Sequence, residues 1–165
     1  MRMLVTCAAL ALAGCATPYQ SAGFRGGFNE VALAPNVYRV SFNGNGFTSS
    51  DRASDLAMLR SADLTIEKGF RYFAFVDSRN SVSRSYSVNP TYSSTDVQAQ
   101  AFGNTISATA NTTTYGGGVE TIEKPRTTNV VAMFIERPAL NGMVYDAQFI
   151  CSSLGSKFKV QCGMK

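Results

Sequence analysis

Two runs that are apolar on both faces, residues 70–77 and 127–136, are separated by 49 residues too polar to build a core of their own, and this arrangement restricts the fold more than any other feature. A strand with no polar face belongs in the interior of a sheet. Both runs therefore predict central strands, Phe70-Arg-Tyr-Phe-Ala-Phe-Val-Asp77 and the strand around Val130-Val-Ala-Met-Phe-Ile135, which are natural partners of each other. About a third of the stretch between them, 78–126, is Ser or Thr, so it reads as an extended hairpin or a partly disordered insert. A connection of that length is either functional or disordered.

The N-terminus follows the three-part plan of an export signal: Arg2 supplies a positive start, 4–12 is almost wholly apolar, and Ala13-Gly14 are small. At about 1.5 Å per residue the run falls short of the roughly 30 Å hydrocarbon core, so it predicts a removed leader and not a spanning helix. Leu12-Ala13-Gly14-Cys15 matches the lipobox at which bacterial lipoprotein precursors are cut, between Gly14 and Cys15. Likeness to lipoproteins implies a diacylglycerol on the Cys15 sulfur and usually a third acyl chain on its amine. Two or more chains, at about 0.8 kcal/mol per buried CH₂, anchor durably. Ala16 stands where inner-membrane retention usually needs Asp, so outer-membrane sorting is expected. Residues 15–36, with Pro and Gly and no sustained periodicity, read as the lipidated tether.

Residues 37–165 are expected to form one domain. Tyr38, Val40 and Phe42 alternate with Arg39, Ser41 and Asn43, the pattern of a first strand with one solvated face. Gly44-Asn45-Gly46 turns the chain, and Thr48 with Asp51 fits a capping box for a helix ending at Gly69. That helix has two apolar arcs divided by a hydroxyl strip (Ser54, Ser61, Thr65) and a charged strip (Arg52, Arg60, Asp63, Glu67) surrounding Leu56. Arg60 can face Asp63 and Glu67, which reads as a surface ion pair. The 70–77 strand is expected to return beside the first strand. Met143, Ala147, Ile150, Cys151 and Leu154 give a second amphipathic helix ending at Gly155, and Phe158, Val160 and Cys162 a last strand.

The resulting order, β-α-β-β-α-β, predicts an α+β two-layer sandwich of ferredoxin-like type with 78–126 inserted between the second and third strands. An oxidising periplasm favours a disulfide between Cys151 and Cys162. On this layout, however, the last strand carries Cys162 about 20 Å from the turn, beyond the roughly 7 Å that a disulfide tolerates. The pairing stays open.

The chain contains no histidine and no tryptophan, and its formal charge of +4 is small and scattered. Without His, the Ser-His and Cys-His nucleophilic pairs and the commonest zinc ligand are excluded. No cofactor, metal site or nucleic-acid partner is expected. Asp77 at a strand end and Asp63 on the helix are the carboxylates on which hydrolytic chemistry would have to rest. Tyr86, Tyr92 and Tyr115 in the insert are the candidate interaction residues, since their rings can stack on a sugar.

The run Gly27 to Thr48, with Leu59-Arg-Ser-Ala-Asp-Leu-Thr65 and Gly69-Phe-Arg-Tyr-Phe73, resembles a group of small proteobacterial envelope lipoproteins. They share a lipobox, a Tyr-x-Val-x-Phe-x-Gly-Asn strand and an Arg-Ala-Ala-Glu-type helix, which reads Arg60-Ser61-Ala62-Asp63 here. The likeness covers 12–77 well and the insert not at all. It implies an envelope location and kinship of fold, and no activity. The expected role is thus a non-enzymatic, membrane-anchored envelope lipoprotein presenting a periplasmic domain to a protein or glycan. The alternatives are a carboxylate-dependent cell-wall hydrolase and an envelope assembly or stress factor.

Overall fold

A computed structural model describes residues 15–163, and the leader expected over 1–14, Gly14 included, lies outside the described residues. The elements run β1 (Gly27–Ala34), β2 (Val37–Asn43), α1 (Ser50–Glu67), β3 (Tyr72–Val88), β4 (Thr91–Phe102), β5 (Thr105–Gly116), β6 (Val119–Phe134), β7 (Val144–Asp146) and α2 (Ala147–Phe158). Two compact units result: the described residues up to Ser83 with those from Glu123 onward, and Arg84–Ile122.

The ferredoxin-like α+β sandwich is not what forms. With 52% strand and 20% helix the protein is mostly β, built on a curled antiparallel sheet of five strands in the order β1-β2-β6-β3-β7. Three local events account for the difference. The stretch expected to be a tether contains β1, which pairs with β2 from Gly27↔Asn43 to Ala34↔Val37. The helix expected from Met143 starts only at Ala147, because Val144–Asp146 first pair with Tyr72–Ala74 as β7. The expected last strand is absent: α2 runs through Gly155 to Phe158, and Lys159 turns the chain in the left-handed region at φ 56°.

β6 also separates β2 from β3, so the 70–77 strand does not return beside the first strand. β6 runs antiparallel to β2 from Val37↔Ala132 to Asn43↔Arg126, and Pro125, Thr127, Asn129, Val131 and Met133 turn inward in strict alternation. The core lies on this face. Val40, Leu64, Phe73, Val131 and Met133 pack together, while Phe42, Leu56, Leu59 and Cys151 form a second cluster shared by β2, α1 and α2.

α1 occupies nearly its predicted span, with a different cap. Ser49, not Thr48, accepts from the Arg52 amide, and Thr48 is buried in another network. Leu56 is fully buried, although the helical wheel sets it among charges. Ser61 and Thr65 are buried too, their hydroxyls donating one turn back to the carbonyls of Ala57 and Ser61. The helix is therefore enclosed on more sides than its weak amphipathicity suggests.

In the second unit β4 and β5 form a twelve-pair antiparallel hairpin from Thr91↔Gly116 to Phe102↔Thr105. Every residue of both strands is exposed. Hydroxyl pairs Ser93–Thr114 and Thr95–Thr112 cross the ladder at 3.2 and 2.9 Å.

Candidate functional site

The largest concentration of charge lies in a cleft of about 690 Å³ in the first unit, at the seam of β1, α1 and the C-terminal segment. Arg60 is its centre. Its guanidinium donates to Glu30 on β1 at 2.8 and 3.2 Å, to Asp63 at 2.8 Å and to Glu67 at 3.0 and 3.2 Å, and it lies 4.5 Å above the Phe28 ring. The Arg60 side chain is only 7% exposed, so the pair expected on the surface is a buried hub. Burial opposes its charge, but the hydrogen bonds it donates to Glu30 and Glu67 outweigh that and hold its pKa above the ordinary guanidinium value.

Asp63 is fully engaged. Oδ2 accepts from Arg60 and, at 2.5 Å, from the Tyr19 hydroxyl; Oδ1 accepts from the Gly163 amide at 2.8 Å. Burial, and then the hydrogen bond to Asp63, push the Tyr19 hydroxyl well above the usual tyrosine pKa. The Arg60–Asp63 pair therefore ties four parts of the unit together: Arg60 reaches β1 and α1, and Asp63 reaches Tyr19 in the N-terminal segment and Gly163 in the C-terminal segment. Among the described residues no buried side-chain nitrogen or oxygen lacks a partner, and no cluster of carboxylates and cysteines is suited to hold a metal. Glu30 and Tyr19 have no sequence signal at this site, because their neighbours arrive only through the pairing of β1.

A second network holds the start of the described chain. Thr17 is fully buried. Its amide donates to Thr48 Oγ1 at 3.0 Å, its hydroxyl to the Arg25 carbonyl at 2.9 Å, and the Asn45 amide donates to Thr17 Oγ1 at 2.9 Å. The Asn45 side chain donates from Nδ2 to the Cys15 carbonyl at 2.7 Å. Cys15 itself is exposed with a free thiol.

Cys151 and Cys162 are joined, with Cα atoms 6.2 Å apart. The 20 Å separation expected from a final strand does not arise, because the left-handed turn at Lys159 carries the chain back over α2. The Val160 amide donates to the Gly155 carbonyl at 2.9 Å, and a Cβ at Gly155 would stand 2.6 Å from the Val160 carbonyl oxygen. Gly155 is thus the seat of this return and not the end of the helix.

The remaining candidates are dispersed. Tyr92 and Tyr115 are direct cross-strand partners in the hairpin, Tyr86 lies on β3, and all three are exposed. Asp77 forms an exposed ion pair with Arg79 at 2.9 Å. No helix among the described residues is long and apolar enough to cross a membrane.

No family model, curated protein or solved structure matches the chain. A functional reading therefore rests on the chemistry of these residues.

Proposed function

We propose that the chain is a non-enzymatic lipoprotein of the bacterial outer membrane, anchored through acylated Cys15, whose domain faces the periplasm and binds another envelope protein or a glycan. The observation that carries the proposal is Cys15 itself. It follows Leu12-Ala13-Gly14 and is exposed and unpaired, whereas Cys151 and Cys162 bond to each other. Kinship with small proteobacterial envelope lipoproteins is part of the same proposal.

The hairpin of the second unit is the recognising element. At one end, 91–95 against 112–116, it is hydroxyl-rich and presents the Tyr92 and Tyr115 rings opposite each other, while Val97, Phe102 and Ile106 stand exposed toward the other end; Asp96 is the only carboxylate side chain of β4 and β5. Such a surface suits neutral, hydroxyl-rich partners, on which aromatic rings stack and hydroxyls exchange hydrogen bonds. Full commitment of Asp63 supports a binding role over a hydrolytic one, since a general acid or base needs a free oxygen facing substrate. The test replaces residues 84–122 by Asn-Gly in the anchored protein and follows crosslinked neighbours in intact cells by mass spectrometry. The proposal predicts loss of the neighbours captured by the unaltered protein; an unchanged set contradicts recognition by the hairpin.

A further inference from the structure

We infer that the domain rests directly on the bilayer through Phe24 and Phe47 and does not hang from its lipid on a tether. This rests on the lipoprotein reading above and adds to it a membrane-contacting face that the lipobox does not specify.

Thr17, two residues after Cys15, is fully buried and held by Thr48, Asn45 and the Arg25 carbonyl. Two extended residues span at most about 7 Å, so an acylated Cys15 cannot stand farther than that from a rigid part of the domain. Asn45 shortens even this reach by gripping the Cys15 carbonyl. A bilayer that holds the acyl chains is therefore in contact with whatever surrounds Cys15.

That surrounding surface is aromatic. Asn45 Oδ1 accepts from the Phe47 amide at 3.0 Å, so the side chain that fixes Cys15 also fixes Phe47, which is 74% exposed. Phe24 occupies the tip of a turn closed by paired Gly23 and Gly26 bonds at 3.0 and 3.1 Å and is completely exposed. The next residue, Arg25, contributes the carbonyl that accepts from Thr17 and is itself exposed. Gly26 permits this turn to sit down on the domain, since a Cβ there would meet the Asn43 carbonyl oxygen at 2.3 Å. A single exposed phenylalanine is ordinary, but two on hydrogen-bonded turns beside an acylation site suit insertion at the boundary of headgroups and acyl chains, where apolar side chains such as phenylalanine are buried. Arg25 supplies a cation for lipid phosphates.

Because the chain contains no tryptophan, a single substitution gives a unique fluorescent reporter. Phe24→Trp, Phe47→Trp and Ile135→Trp are prepared as separate acylated full-length proteins in vesicles of phosphatidylethanolamine and phosphatidylglycerol, with or without dibrominated acyl chains. Ile135 is an exposed control just beyond the C-terminal end of β6, about 30 Å along the chain from the corner where the Gly44 amide meets the Pro125 carbonyl. We expect blue-shifted emission and roughly twofold quenching by brominated lipid for tryptophan at 24 and 47, and neither effect at 135. If acylated, vesicle-bound protein shows no quenching at either 24 or 47, the domain stands off the bilayer and the inference is overturned while the lipoprotein reading stands. If mass spectrometry finds Cys15 unmodified in protein extracted from membranes, both are overturned.

Discussion

Arg60 is shared by three carboxylates, Glu30, Asp63 and Glu67, at 2.8, 2.8 and 3.0 Å. Its spacing from Asp63 and Glu67 is legible because three and seven residues return to the same side of a helix. Its burial is not, because Glu30, Tyr19 and Phe28 come from a segment whose strand the hydropathy pattern conceals. In β1 the larger apolar residues Val31 and Leu33 are exposed and Glu30 is partly buried, the reverse of the usual alternation. Replacing Arg60 by leucine leaves Glu30, Asp63 and Glu67 without their shared cation, so a loss of about 3–5 kcal/mol is expected from urea unfolding. Arg60→Lys should also be clearly destabilised, since one ammonium cannot reproduce the paired contacts to Glu30 and Glu67.

Tyr19 adds a pH dependence of defined sign. Its folded-state pKa is raised, so folded and unfolded chains both keep the proton below the ordinary value of about 10. Above that value the unfolded chain loses the proton first and stability falls. The urea midpoint should therefore decline through alkaline pH, and the decline should be shallower in Tyr19→Phe. That variant should also lose about 1 kcal/mol at neutral pH with the hydrogen bond to Asp63. Parallel pH profiles for the two proteins would contradict the assignment.

At the scale of elements, strong and continuous signals are the legible ones. α1, the span of β2 and the two doubly apolar strands are readable, because long periodic runs leave few alternatives, although Ser41, expected on a solvated face of β2, is buried against Thr128. The C-terminal segment is misread for a physical reason: Phe158, Val160 and Cys162 alternate as a strand would, yet α2 continues past Gly155, which is needed where the Val160 carbonyl packs against it. Likewise Thr48 resembles a cap by sequence, but its hydroxyl is worth more in the buried network with Thr17 and Asn45. The hairpin buries none of its residues, so the first unit is expected to fold without it. Replacement of 84–122 by Asn-Gly should leave the unfolding free energy of the remaining unit, measured by urea titration, within about 1 kcal/mol of the parent value, because the strand core from Phe73 to Met133 is untouched. A collapse of cooperative unfolding in that variant would show that the hairpin is structural.

At the scale of the molecule, the first unit is a mostly-β body held closed by its own N-terminal segment. Thr17, Tyr19 and Glu30 attach that segment at three places, so the position of Cys15 is set by the fold. The Leu12-Ala13-Gly14-Cys15 pattern stands out in the sequence and this attachment does not, because Thr17 and Tyr19 sit among Pro and Gly residues with no periodicity. The most direct measurement of the central claim is the intact mass of the protein extracted from bacterial membranes, with fragmentation of its N-terminal peptide. The account predicts a chain beginning at Cys15 and bearing a diacylglycerol on its sulfur, and a Cys15→Ser chain that lacks the lipid and is released or left unprocessed. A chain with an unmodified Cys15, or a Cys15→Ser protein processed and membrane-bound as before, would contradict it.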